Sequence, residues 1–254
     1  MPHRFYLPPD RCRGDALVLT GGEAHHALDV LRLRRGDAVT VLDGAGKEFR
    51  CDVADTDRGQ VRLGIVEKHS HPPPPFQLTL LQALPKGKLL DSIIQKATEL
   101  GATRVIPLLS ERVVVHVGPH EAPRKAVKWQ SVAVEAIKQC GAAWLPKVEA
   151  PLTPEQFLTR NELFELSLIG SLQPDARHPR PYLEAFRREH HRSPKSLAVW
   201  VGPEGDFTPR ELQAIQAGGA QPITLGALVL RADTAAIYCL SVLNYELQAP
   251  PPAG

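Results

Sequence analysis

The chain has 254 residues, a formal net charge of +2 and 43% hydrophobic residues, the composition of a globular protein with one large domain or two smaller ones. No apolar run is long enough to span a membrane, and Met1-Pro-His-Arg-Phe-Tyr6 lacks the apolar core of a signal peptide, so the cytoplasm is the expected setting. The four cysteines (Cys12, Cys51, Cys140, Cys239) are widely spaced without a CxxC pair and fit neither a zinc site nor a disulfide framework; Cys140 and Cys239 fall in helical patterns and are expected in the core.

Charge is unevenly placed. Residues 1–70 carry 11 Lys+Arg against 11 Asp+Glu, whereas residues 76–150 carry 10 against 6. A basic middle suits a polyanionic partner and equally suits a solvated helical surface.

Residues 1–70 read as a small, mainly β domain. Thr20-Gly-Gly-Glu23 has the spacing of a capping box and predicts a short helix through His25, His26 and Val30. Strands are expected at Ala38–Leu42, Glu48–Ala54 and Gln60–Val66, with turns at Asp43-Gly-Ala-Gly46 and Asp55-Thr-Asp-Arg-Gly59. Arg32, Arg34 and Arg35 follow the helix end, where they either grip an RNA backbone, complement the helix dipole or sit in water. The neighbours His25 and His26 point about 100° apart on a helix and do not converge on one metal ion. His69, His71, His190 and His191 lie in or beside polar, proline-rich stretches and are assigned no chemistry. Four prolines, Pro72–Pro75, form a stiff linker, so the expected domains are 1–70 and 76–248, with 71–75 between them and 249–254 a frayed tail.

From Phe76 the pattern alternates. Gln77–Ala83 is an apolar strand. Leu89, Leu90, Ile93, Ile94, Ala97 and Leu100 recur at helical spacing, and Gly101 follows at the C-cap. Arg104–Leu109 is a strand that ends in Ser110-Glu-Arg112. A helix is predicted over about 126–139 and a strand over Glu165–Ile169, followed by Gly170-Ser-Leu-Gln-Pro174. Further elements are a helix over Pro181–His190, a buried strand over Leu197–Val201, the short strand Pro222–Leu225 and a last helix over about 234–247. After Gly202-Pro-Glu-Gly205, Thr208-Pro-Arg-Glu211 is a capping box with proline just inside the helix. Strands alternating with helices predict an α/β domain built on a mostly parallel sheet. Loops 170–174, 202–206 and 225–231 leave strand carboxyl ends, where such sheets place ligands; on local pattern alone they are equally ordinary strand–helix connections. No GxGxxG or GxxxxGK[ST] is present, so a nucleoside-type ligand held largely by backbone groups is the reading that stays open.

Several short motifs, taken in order, resemble the RsmE family of the SPOUT methyltransferases over nearly the whole chain. They are Gly22-Glu-Ala-His-His26 with Val30–Asp37, Lys86-Gly-Lys88, Gln95–Gly101, Ser110-Glu-Arg112, Lys128-Trp-Gln130, Glu135–Gly141, Gly202-Pro-Glu-Gly205, and Leu225-Gly226 with Leu230-Arg-Ala-Asp-Thr-Ala235. The resemblance implies an N-terminal PUA-like β-barrel that binds RNA and a C-terminal α/β SPOUT domain with a deep trefoil knot, an exception to unknotted topology. It implies S-adenosylmethionine as cofactor, no metal, no membrane, a homodimer with the site at the subunit interface, and N3 of a uridine in 16S ribosomal RNA, free or in the small subunit, as target. On the matching positions it implies that Gly170, Ser171, Leu172, Gly202, Pro203, Glu204, Gly205, Leu225, Gly226, Leu230, Thr234 and Ala235 hold the cofactor. Arg231 is then the candidate to stabilise negative charge on the uracil edge, with a phosphate contact or a structural ion pair as its alternatives. Asp233 or Glu204 would accept the proton, or hold the loop. Arg4, Arg32, Arg34 and Arg35 would contact phosphates. The chain departs from the family's usual pattern at Asp206, where a second glycine is usual, and in Leu225–Ala235, which lacks a proline and an arginine and shortens a glutamate to Asp233. Two rivals follow: a SPOUT enzyme with another target such as a ribose 2′-OH, and a catalytically impaired RNA-binding assembly protein.

Overall fold

The computed structural model describes residues 3–57, 59–115, 117–118 and 120–248. It divides into two compact units, Met1–Pro74 with Val134–Leu145, and Pro75–Ala133 with Pro146–Gly254.

The first unit is a curled sheet of β1 (His3–Tyr6), β2 (Ala16–Thr20), β3 (Ala38–Leu42), β4 (Lys47–Asp57) and β5 (Gln60–Ser70), in the order β1-β3-β4-β5-β2. β1 runs parallel to β3 and the other pairs are antiparallel. Register shifts at Arg50/Cys51 and Val53/Asp55 mark irregularities in the long β4–β5 pairing, the kind of bulge that bends a strand and tightens its twist. The sheet closes around Phe5, Leu17, Leu19, Val41, Val61 and Leu63, all fully buried. β3 matches its expected bounds, whereas β4 and β5 run longer.

Helix α1 (Gly21–His25) continues into a π-helical turn over His26–Val30. The capping box expected at Thr20 does not form. The Thr20 hydroxyl accepts from Arg11 Nη1 at 2.8 Å, and the Glu23 carboxylate takes Tyr6 N at 3.4 Å and Lys138 Nζ at 2.9 Å. Tertiary donors outcompete the helix's own N–H groups. Segment Val134–Leu145 joins this unit through such contacts: Arg4 Nη1 donates to Gln139 O at 3.1 Å, and Trp144 Nε1 to Pro72 O at 2.8 Å. Trp144 lies so close over Gly46 (φ 93°) that a Cβ there would stand 2.5 Å from its ring.

The second unit carries a six-stranded parallel sheet. Its strands are β6 (Gln77–Ala83), β7 (Arg104–Leu108), β8 (Lys147–Val148), β9 (Leu166–Gly170), β10 (Ser196–Val201) and β11 (Gln221–Ile223), in the order β11-β9-β10-β6-β7-β8. The helices are α2 (Leu89–Glu99), α3 (Ala122–Cys140, which begins in this unit), α4 (Pro154–Leu158), α5 (Pro179–His190), α6 (Pro209–Ala217) and α7 (Ala232–Gln248). On one face Leu81, Ile106, Ile169 and Trp200 pack with Phe157, Leu212 and Ile215. α7 packs against β6, β10 and α2. After edge strand β11 the chain therefore returns to the middle of the sheet.

The expected α/β class holds, with three local differences. β11 ends at Ile223, so Thr224 and Leu225 belong to the loop, and its Pro222 is tolerated because β11 is an edge strand. α7 begins at Ala232. Cys140 is exposed, because it is the last residue of α3, beyond the buried Ala133, Ala136 and Ile137. Burial raises the pKa of the other thiols, Cys239 and Cys51 to about 12 and Cys12 to about 11, which disfavours the reactive thiolate.

Candidate active site

β9, β10 and β11 end side by side, and their carboxyl-end loops enclose a cavity of about 460 Å³. Each loop is held by its own backbone. Ser171 N donates to Ile223 O at 3.0 Å, and the buried Ser171 hydroxyl accepts from Gln173 N at 3.2 Å. Thr224 N donates to Arg177 O at 3.0 Å, and Gly226, at φ 112°, turns the third loop where a side chain would be strained.

The loop after β10 is the most constrained. Asp206 N donates to Pro203 O at 2.9 Å, closing a tight turn. Asp206 itself has φ 63°, and its carboxylate accepts from Phe207 N at 2.7 Å. Aspartate is one of the few residues that enter the left-handed region at low cost, because its side chain satisfies a local N–H. The departure from glycine at 206 thus preserves the turn. Phe207 is buried in the core beneath, and the capping box at Thr208 forms with Glu211 as expected.

Glu211 does more than cap. Its buried carboxylate also accepts from Ser110 Oγ at 3.0 Å and Glu111 N at 2.9 Å. Arg112 Nη1 donates to Gly205 O at 2.5 Å and Phe207 O at 3.5 Å. Ser110-Glu-Arg112 was visible in the sequence as charge at a strand end, but its task of bracing the neighbouring loop was not. Glu204 Oε1 accepts from Lys86 N at 3.4 Å.

Of the residues expected to hold a cofactor, Gly170, Ser171, Leu172, Gly202, Pro203, Glu204, Leu225, Gly226, Leu230 and Ala235 line the cavity. Gly205 and Thr234 are exposed and are not part of that lining. Of the three candidates for chemistry, Glu204 lines it. Arg231 is 75% exposed with its Nε 3.9 Å from Asp233 Oδ1, and Asp233 accepts from Thr234 N at 2.9 Å at the start of α7. In the first unit Arg32, Arg34 and Arg35 are exposed, whereas Arg4 is engaged by the carbonyls of Lys138 and Gln139 at the end of α3. Among the described residues no His/Cys/Asp/Glu cluster could hold a metal ion, and no helix is long and apolar enough to cross a membrane.

A three-loop cavity at the carboxyl edge of a parallel sheet is where α/β proteins bind ligands, and family models give the class. The RNA methyltransferase domain matches residues 72–244 and the RNA methyltransferase PUA domain residues 19–66. Ribosomal RNA small subunit methyltransferase E of Synechocystis is 34% identical over 98% of this chain and 79% of the relative. That of Bacillus subtilis is 30% identical over 91% and 90%. Two solved structures share the fold across 96% of this chain and 98% of theirs. One is a putative methyltransferase from Legionella pneumophila with bound S-adenosylmethionine (30% identity, TM-score 0.86). The other is ribosomal RNA small subunit methyltransferase E from Neisseria gonorrhoeae, also bound to S-adenosylmethionine (27%, TM-score 0.82). The chain is thus an RNA methyltransferase of the SPOUT class. It belongs to the ribosomal RNA small subunit methyltransferase E family.

Proposed function

We infer that the chain transfers a methyl group from S-adenosylmethionine to N3 of a specific uridine in 16S ribosomal RNA, in the cytoplasm and as a homodimer. The carrying observation is the cavity at the ends of β9, β10 and β11, in a chain whose relatives of the same fold are solved with that cofactor. The residues present fit it. A volume near 460 Å³ is in the range for a nucleoside-sized ligand. At Gly202 a Cβ would stand 3.1 Å from Asp206 Oδ1 and 3.3 Å from the Phe207 ring, so glycine lets the turn pack tightly at the cavity wall. When bound, the cofactor supplies a methyl group on a sulfonium, which needs no further activation.

The protein's work is then positioning and the handling of one proton. Backbone groups of Gly202–Gly205, Leu225-Gly226 and Leu230 hold the adenosine part, and Gly170–Leu172 form the wall. Uridine N3 is a poor nucleophile until its proton leaves, and Glu204 or Asp233 accepts it. The geometry favours Glu204, which lines the cavity. Arg231 stabilises charge developing on the uracil oxygens. The target base is extruded or unpaired, because pairing occupies N3. Arg32, Arg34 and Arg35 serve as phosphate contacts on the first unit.

Dimerisation is supported by exposed apolar side chains at and near the cavity: Leu228 at 78% and Val229 at 74%, which line its mouth, and Tyr245 at 76% on α7. The test is tritiated-methyl transfer to unmodified small-subunit particles, followed by nucleoside identification. The expected product is 3-methyluridine. A 2′-O-methylated nucleoside, or no transfer, would overturn the reading.

A further inference from the structure

The cationic residues assigned so far to RNA phosphates are Arg32, Arg34 and Arg35, all on the first unit. The second unit has a basic rim of its own beside the cavity. β6 lies next to β10 and β7 next to β6, and both contribute loops that touch the turn at Glu204–Gly205. From β6 comes Lys86-Gly87-Lys88. Its backbone is tied down by the bond from Lys86 N to Glu204, so the Lys86 side chain is not needed for that tie. Both lysine side chains are exposed. From β7 comes Arg112, which spends Nη1 on Gly205 and Phe207 and presents the rest of its guanidinium to solvent.

We propose that Lys86, Lys88 and Arg112 form a phosphate-binding rim that grips the RNA backbone beside the target nucleotide, on the β6/β7 side of the cavity. The charge balance supports an anion. Asp91, in the first turn of α2, is neutralised by Lys128 Nζ at 2.9 Å. Asp206 is engaged by Phe207 N. Three cations thus face two pocket carboxylates, Glu204 and Asp206, which leaves an excess of positive charge at the rim. Gly87, at φ 68°, turns the chain sharply between the two lysines ahead of α2. A Cβ at Gly87 would meet nothing within 4 Å, so the approach is open.

This rim rests on the proposed rRNA substrate, and the experiment separates the two. The full-length double variant Lys86→Gln/Lys88→Gln is compared with wild type for binding unmodified small-subunit ribosomal RNA across salt concentrations, and for S-adenosylmethionine binding by calorimetry. The expected result is a roughly tenfold weaker RNA affinity and a salt slope shallower by about 1.4, for two lost phosphate contacts on a single strand, with cofactor affinity unchanged. Arg112→Gln is expected to weaken both ligands, because it also releases Gly205. If the double variant keeps wild-type RNA affinity and slope while wild type binds and methylates the RNA, the rim is refuted and the proposed function stands. If cofactor affinity falls instead, the lysines serve the cofactor's carboxylate and the RNA assignment is wrong. If wild type binds the cofactor but neither ribosomal RNA nor unmodified small-subunit particles, both proposals fall.

Discussion

Two loops line the same cavity and are built on opposite principles. Gly202–Thr208 is braced from every side: by its own turn, by Asp206 on Phe207, by Arg112 on Gly205, and by Glu211 through the helix cap and Ser110. Thr224–Arg231 is held at its ends, by Thr224 N on Arg177 O and by Ala235 N on Arg231 O, while Leu228 and Val229 stand in water between them. The first loop is pre-shaped, so a ligand binding there loses little to loop ordering. The second is suited to complete itself against another surface. Backbone shape explains why the chain tolerates Asp206, while Leu228 and Val229, which line the cavity yet stand exposed, offer apolar surface to a bound ligand or to the second subunit of the proposed dimer.

The comparison breaks first at Glu211. Its carboxylate satisfies donors from two loops, so Glu211→Ala leaves buried donors unpaired and should lower stability by about 3 kcal/mol, measured by chemical denaturation. A loss near zero would mean the first loop does not depend on its braces.

Acid offers a second stress on the braced half, at the sheet edge after β8. Burial opposes ionisation of Glu149, but hydrogen bonds from Arg160 and Arg104 outweigh it and hold its pKa down to about 2. A carboxylate whose pKa is depressed by folding stabilises the protein above its unfolded value and loses that contribution as pH falls through the folded one. Stability should therefore decline between about pH 4.5 and pH 2. In Glu149→Gln that part of the decline should be missing from thermal melts taken across the range.

Gly202→Ala should act locally, by pressing on Asp206 and Phe207. An effect of about 1–2 kcal/mol is expected on cofactor binding, roughly tenfold in Kd, because overpacking distorts the turn. Wild-type affinity in that variant would show that the turn has slack. Asp206→Gly, which restores the residue the family usually carries, should change cofactor affinity less than about threefold, since glycine keeps the left-handed conformation and loses one local hydrogen bond. Smallest in stability is Leu228→Ser/Val229→Ser, expected within about 0.5 kcal/mol of wild type because both side chains are exposed. Sedimentation should nonetheless show the dimer shifted toward monomer. An unchanged dimer would move the interface elsewhere.

Much of this was legible in the sequence. β6, β10, α2 and α6 follow from apolar periodicity, a C-cap glycine and a capping box, all of which are local signals. The three loops follow from the alternation of strands and helices. What stayed hidden depends on distant partners. Thr20 and Glu23 spell the same box as Thr208 and Glu211, yet Arg11, Tyr6 and Lys138 take their oxygens. Arg4 reads as a free cation but is occupied by carbonyls 134 and 135 residues away. Arg112 could be noticed as a charge, but its role as a brace needs the adjacency of β6, β7 and β10, which sequence order does not supply. β1, β2 and β8 are short, and α4 is a single turn with a capping box at Thr153 and Gln156 that was there to be read.

The most direct test of a pre-shaped cofactor cavity is calorimetric titration of the purified wild-type chain with S-adenosylmethionine. One site per chain, with a heat capacity change small enough to exclude coupled folding of the loops, is the predicted result. No binding, or binding with the large negative heat capacity change of a segment that orders on contact, would contradict it.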